Sequence, residues 1–123
     1  MSSILSTVRS ELLSLHQALI AAVRIDFERT HGRVTGSGEL LELVMNDAGF
    51  AWLRPFSQLI VRVDAQLEEP AIAIDSVLEI LDELGDLIST PSYLKVLQNV
   101  PEVVLAHGRL HQALRGARRP LAA

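Results

Sequence analysis

Leu5, Val8, Leu12, Leu15, Leu19 and Ala22 recur at alternating spacings of three and four within residues 3–31. This rhythm predicts one long helix packed nearly side by side against its neighbours. A second stripe, Leu13, Ile20, Val23 and Phe27 with His16 among them, widens the apolar face. Towards the end the seam turns polar at Asp26 and Arg29, so this end of the helix is expected to project past the core. Gly32 supplies the stop.

"HGRVTGSG", residues 31–38, reads as a loop with three glycines, and Ser37 can cap the helix that follows. In "ELLELVMND" a short helix is expected, with Leu40, Leu41, Val44 and Met45 inward and Asp47 capping the next segment. From Pro55 onward, Phe56, Leu59, Ile60, Val63 and Leu67 keep helical phase to about Glu69. Proline cannot donate a backbone hydrogen bond and biases the residue before it away from helical angles. The helix therefore either starts at Pro55 or is kinked there. Asp47 is a better cap than Arg54, which favours one kinked helix over 48–69.

Pro70 breaks the chain. Asp75 can cap a helix with Val77, Leu78, Leu81, Leu84 and Ile88 inward and an acidic outer face. Thr90 and Pro91 open a short helix through "SYLKVLQN", and Pro101 opens the last, with Gly116 as its expected stop. Strand-like alternation, hairpin turns and internal repeats are missing. The fold class is all-α: a small helical bundle of about four longer helices plus one or two short ones. Residues 1–116 read as a single domain and 117–123 as a frayed C-terminal tail.

Composition sharpens this picture. Hydrophobic residues make up 49% of the 123, but only five are aromatic, so aliphatic side chains must build the core. That aliphatic excess points to a partner, most simply a second copy in a homodimer. With no cysteine, disulfides and thiolate chemistry are excluded, which fits a reducing, cytoplasmic setting. The start "MSSILSTVR" lacks the basic and apolar regions of a signal peptide, and the apolar run at residues 12–23 is too short to span a bilayer. Net charge is −4, with the acidic excess in residues 37–100 and +3 on 101–123. The overall sign opposes nucleic-acid binding. Neither nucleic acid nor membrane is expected as a partner.

"HGRV", "GELL", "ND", "FAWLRP" and "VVLAH" together resemble a family of small bacterial all-helical proteins of unknown function. The likeness runs from about Leu15 to His107, and "FAWLRPFSQLI" carries most of it. It implies the helical fold and a bacterial origin, and no activity or catalytic residue.

Candidate chemistry is sparse. His107 and His111 are four apart, which puts both imidazoles on one helix face, and His16 on an inward stripe can add a third metal ligand. The opposing reading puts His107 at a core edge and His111 on the surface. Arg33, Gly36, Ser37 and Gly38 form a glycine-rich loop before a helix start, where an anion can bind. Yet P-loop spacing and its lysine are absent, and Glu39 already offers that helix end a negative charge. Triad-type motifs and a G-x-S-x-G elbow are lacking, and neither a catalytic residue nor a cofactor is assigned.

The aromatic cluster Phe50, Trp52 and Phe56 flanks Arg54 and Pro55. Helical phase puts Phe56, and Trp52 one turn before it, near the core. Arg54 is expected to pair with Asp47 or Glu42, or to stack on a ring. These five residues read as a structural keystone or an interface. The expected function is a non-enzymatic protein-interaction or structural bundle that self-associates; the alternative is a metal-binding bundle using His107 and His111 with His16.

Overall fold

The computed structural model describes residues 2–121. They are all-α: α1 (Ser2–His31), α2 (Gly36–Asn46), a 3₁₀ segment (Ala48–Leu53), α3 (Arg54–Glu68), α4 (Ile74–Leu87), α5 (Pro91–Asn99) and α6 (Pro101–Leu121). No strand occurs among them. None of these helices is long and apolar enough to cross a membrane.

The leading seam of α1 is the spine of the core. Leu5, Val8, Leu12, Leu15 and Leu19 are at most 1% exposed. The second stripe, Leu13, Ile20, Val23 and Phe27, is half-buried. Opposite α1, the last helix presents Val103, Ala106, Leu110, Leu114 and Ala117, again at spacings of three and four. The α1–α6 pairing is the most extensive in the molecule, followed by α1 with α3 and α3 with α4. Shorter α5 packs on α6, and α2 packs on the 3₁₀ segment. Ion pairs stitch the outside: Arg9 with Asp64, Arg62 with Glu83, Arg109 with Glu11 and Arg118 with Asp82. All are solvent-exposed pairs of the kind worth about 0–1 kcal/mol.

Local chemistry explains most boundaries. Gly32 takes φ +85°, and its N–H reaches the Glu28 carbonyl at 3.1 Å, closing α1 as a left-handed cap. Thr90 caps α5 by accepting from the Tyr93 N–H at 3.4 Å, with Pro91 in the first turn. Asp47 accepts from the Gly49 N–H at 2.8 Å and so starts the 3₁₀ segment.

Several expectations need correction. Ser37 lies inside α2 and does not cap it. Thr35 holds the N-cap position without a side-chain capping bond, and Gly36 after it takes φ +81°, a conformation suited to glycine. Glu39 reaches back over the first turn to accept from both the Thr35 N–H (3.0 Å) and hydroxyl (2.8 Å). Asp75 sits within the first turn of α4, where its charge favours the helix dipole, and Ala73 precedes the helix. On α4, Ile80 is buried while Leu78 is only half-buried.

Residues 48–69 are not one α-helix. The chain is 3₁₀ through Leu53 and α-helical from Arg54, whose φ −59° and ψ −41° are helical despite the proline that follows. Pro55 lies in the first turn of α3, where its missing N–H would have had no helical partner. The tail also differs. Gly116 does not end α6, which continues to Leu121, because Ala117 is in phase with the buried seam and is itself 1% exposed. Arg118 then bonds to the Leu81 carbonyl at 3.2 Å. Residues 122 and 123 of the expected tail lie outside the described residues.

Candidate interaction surfaces

The 3₁₀ segment and the first turn of α3 separate the five aromatic-cluster residues. A 3₁₀ helix repeats every three residues, so side chains three apart eclipse. Phe50, Leu53 and Phe56 accordingly share one inward side, each at most 1% exposed. Phe27 packs on Phe50 with ring centroids 5.9 Å apart, and Tyr93 stacks on Phe56 at 5.9 Å. Trp52 is thrown to the flank. It is half-buried and sets its ring edge-on to Phe56 at 6.3 Å.

Arg54 is half-buried. It forms no ion pair with Asp47 or Glu42, and no ring stacks on it among the described residues. Its Nε is enclosed and without a hydrogen-bond partner. The expected tie is therefore missing, and an enclosed donor of this kind costs on the order of 1–3 kcal/mol. Pro55 borders a small hollow of about 250 Å³ between α3 and α4, crossed by the Arg62–Glu83 pair.

Trp52 forms one wall of a larger cleft of about 690 Å³. The α1 seam leads into it. After Leu19 the next seam positions are Ala22, Asp26 and Arg29, and all three line the cleft. The polar end of the seam thus borders a hollow in place of the core. Across from it stand Lys95 and Asn99 of α5 and Glu102 of α6, with Val96, Val100 and Pro101 as an apolar floor. Asp26, Arg29, Lys95 and Glu102 take part in none of the ion pairs among the described residues.

The second surface is α2. Expected inward, Leu41 and Met45 are 59% and 60% exposed, and Leu43 turns inward with Leu40 and Val44. No α2 side chain is fully buried. The sequence is apolar at five positions from Leu40 to Met45, so its phase alone could not say which side would face the core.

The loop before α2 is anchored by its own chain. Val34 is 1% exposed; its N–H donates to Glu28 at 2.8 Å, and its carbonyl accepts from Arg24 at 3.1 Å. Arg33 is exposed beside it. The donors of Thr35, which an anion at Gly36, Ser37 and Gly38 would approach, are held by Glu39. These bonds hold the Glu39 carboxyl below its ordinary value.

The histidines are placed apart by their partners. His16 Nε2 pairs with the Ser57 hydroxyl of α3 at 2.9 Å, whereas His107 Nδ1 pairs with the Tyr93 hydroxyl of α5 at 2.6 Å. His111 is exposed, its ring nearly parallel to His107 at 6.2 Å. No group of three metal-ligating side chains occurs among the described residues. Tyr93 is fully buried with this one partner, so its O–H must donate to Nδ1. The proton of neutral His107 then sits on Nε2, the nitrogen a metal shared with His111 would need free.

Burial pushes the His16 imidazole below its ordinary value of 6.5, and burial followed by the charge of His111 does the same to His107. The unfolded chain then takes up these protons first. Their contribution is present above about pH 6.5 and is lost as pH falls through the lowered folded-state values. Urea denaturation at stepped pH should show stability falling from about pH 7.5 to 5.5, with His16→Gln flattening the slope. An unchanged slope in that variant would remove His16 from the account.

No protein family, curated protein or solved structure matches the chain.

Proposed function

We propose that this chain is a non-enzymatic protein-interaction bundle that pairs with a second copy of itself through α2. The observation that carries this is the outward Leu41 and Met45, one turn apart on a helix without a fully buried side chain. A helix of 11 residues is marginal in water by itself and takes its stability from packing. Here packing covers one side only. Two copies related by a twofold axis set the same face against itself, which makes an apolar patch of this kind self-complementary.

The pairing of α1 with α6 and α3, and of α3 with α4, supports the bundle reading. The cysteine-free sequence supports a reducing, cytoplasmic compartment, and the "HGRV" and "FAWLRP" motifs support a bacterial origin.

Sedimentation velocity over a range of concentrations tests the pairing. The native chain should sediment as a dimer at high concentration, and the Leu41→Ser, Met45→Ser double variant as a monomer with unchanged helical circular dichroism. Both residues are exposed in the single chain, so folding should survive the change. A native chain that stays monomeric throughout overturns the proposal. A dimer that the double variant leaves intact takes the interface away from α2.

A further inference from the structure

We infer that the cleft beside Trp52 binds a small zwitterion carrying an apolar side group, namely a free-ended short peptide whose peptide group Asn99 can meet. This does not rest on pairing through α2. The cleft, about 690 Å³, lies within the range of roughly 300–1,000 Å³ typical of small-molecule sites. Its apolar lining comes from Trp52, Val96 and Val100 among others. Trp52 is held in place edge-on by Phe56, whose own ring is locked in the core, so this wall is preformed.

The polar lining is balanced in sign. Arg29 and Lys95 supply two cations, and Asp26 and Glu102 supply two carboxylates. Arg9, Arg24, Arg62, Arg109 and Arg118 each have an acidic partner, whereas Arg29, Arg33, Arg54, Lys95, Arg115 and Arg119 form no ion pair among the described residues, and of these only Arg29 and Lys95 line the cleft. The four charges around the cleft have none, so they are available to a ligand. A ligand with a single charge would leave one sign unanswered, whereas an ammonium and a carboxylate on one molecule answer both. Asn99 adds an amide that can bond to a peptide group, and Trp52 adds apolar ring surface for an apolar side chain.

The chain has a single tryptophan, so its emission reports on this cleft. The test titrates leucyl-leucine, which lacks fluorescence of its own, against the native chain. Parallel titrations use the N-acetylated dipeptide, the dipeptide amide and the doubly capped form. The free-ended dipeptide should give a saturable emission change below about 10 mM, well past the affinity expected of so small a ligand. Each single cap should weaken binding by about two- to fivefold, the size of an exposed ion pair, and both caps by the product. The double variant Arg29→Gln, Lys95→Gln should abolish the penalty of the carboxyl cap, and Asp26→Asn, Glu102→Gln that of the amino cap. All four side chains are exposed, and circular dichroism checks that folding is unchanged. No saturable change overturns the inference, and so does a doubly capped dipeptide that binds as tightly as the free one. Cap penalties that survive both double variants overturn it as well.

Discussion

Phe56→Ala should lower the unfolding free energy by about 3–5 kcal/mol, the range for deleting a buried aromatic ring. That is a large share of the roughly 5–15 kcal/mol by which a domain of this size is stable. The reason is position. Phe56 is 1% exposed and stands where Trp52 and Tyr93 both pack, so its loss opens a void that neither flank can easily fill. The Tyr93 ring is fixed by its hydroxyl bond to His107, which restricts collapse into the gap. Urea unfolding followed by circular dichroism measures the effect, and Trp52→Ala is the internal control. Trp52 is only half-buried, so removing it should cost less than half as much. Equal costs would show that the two rings share one burial, against the division described above.

A second large effect separates two adjacent residues. Ala117→Glu should destabilise by at least about 3 kcal/mol, because a carboxylate would replace a methyl group that is 1% exposed on the α6 seam. Gly116→Ala, one position earlier, should stabilise by about 0.5–1 kcal/mol. Nothing lies within 4 Å of the added methyl there, and alanine is the better helix former. A frayed tail would make both changes nearly neutral. Opposite signs at neighbouring positions are the signature of an ordered helix that passes through Gly116 and buries one side.

The same pair shows what the sequence made legible. The α6 seam of Val103, Ala106, Leu110, Leu114 and Ala117 carries its phase past Gly116, and that phase outweighs the glycine. A glycine stop is a local preference of about 1 kcal/mol, easily overridden by continued burial. The α1 seam was readable for the opposite reason: one long stripe with nothing competing. Its polar continuation, Asp26 and Arg29, marks where the core gives out but not the cleft there, because spacing on one helix cannot say what stands opposite.

Two features were hidden for physical reasons. In α2 the apolar positions spread around the helix, so only the docking against the 3₁₀ segment selects an inward side. For Arg54, the sequence offers Asp47 and Glu42 as carboxylate partners but says nothing of the direction each side chain takes. The 3₁₀ winding before it changes the angle per residue, so side chains there fall elsewhere. The same winding aligns Phe50 with Leu53 and Phe56, an arrangement that an α-helical reading of the segment divides between two neighbours.

The α1–α6 pairing has a consequence for how the protein is made. Synthesis runs from the N-terminus, so α1 leaves the ribosome well before its principal partner α6, with α2 to α5 between them. Until α6 emerges, the side of α1 that α6 will cover has no native cover. The nascent chain therefore carries a sticky apolar stripe while α2 to α5 are made, and a pause before Pro101 would prolong that exposure. Chaperone demand in the cell should track the rate at which the last helix is delivered, more than the stability of the finished fold.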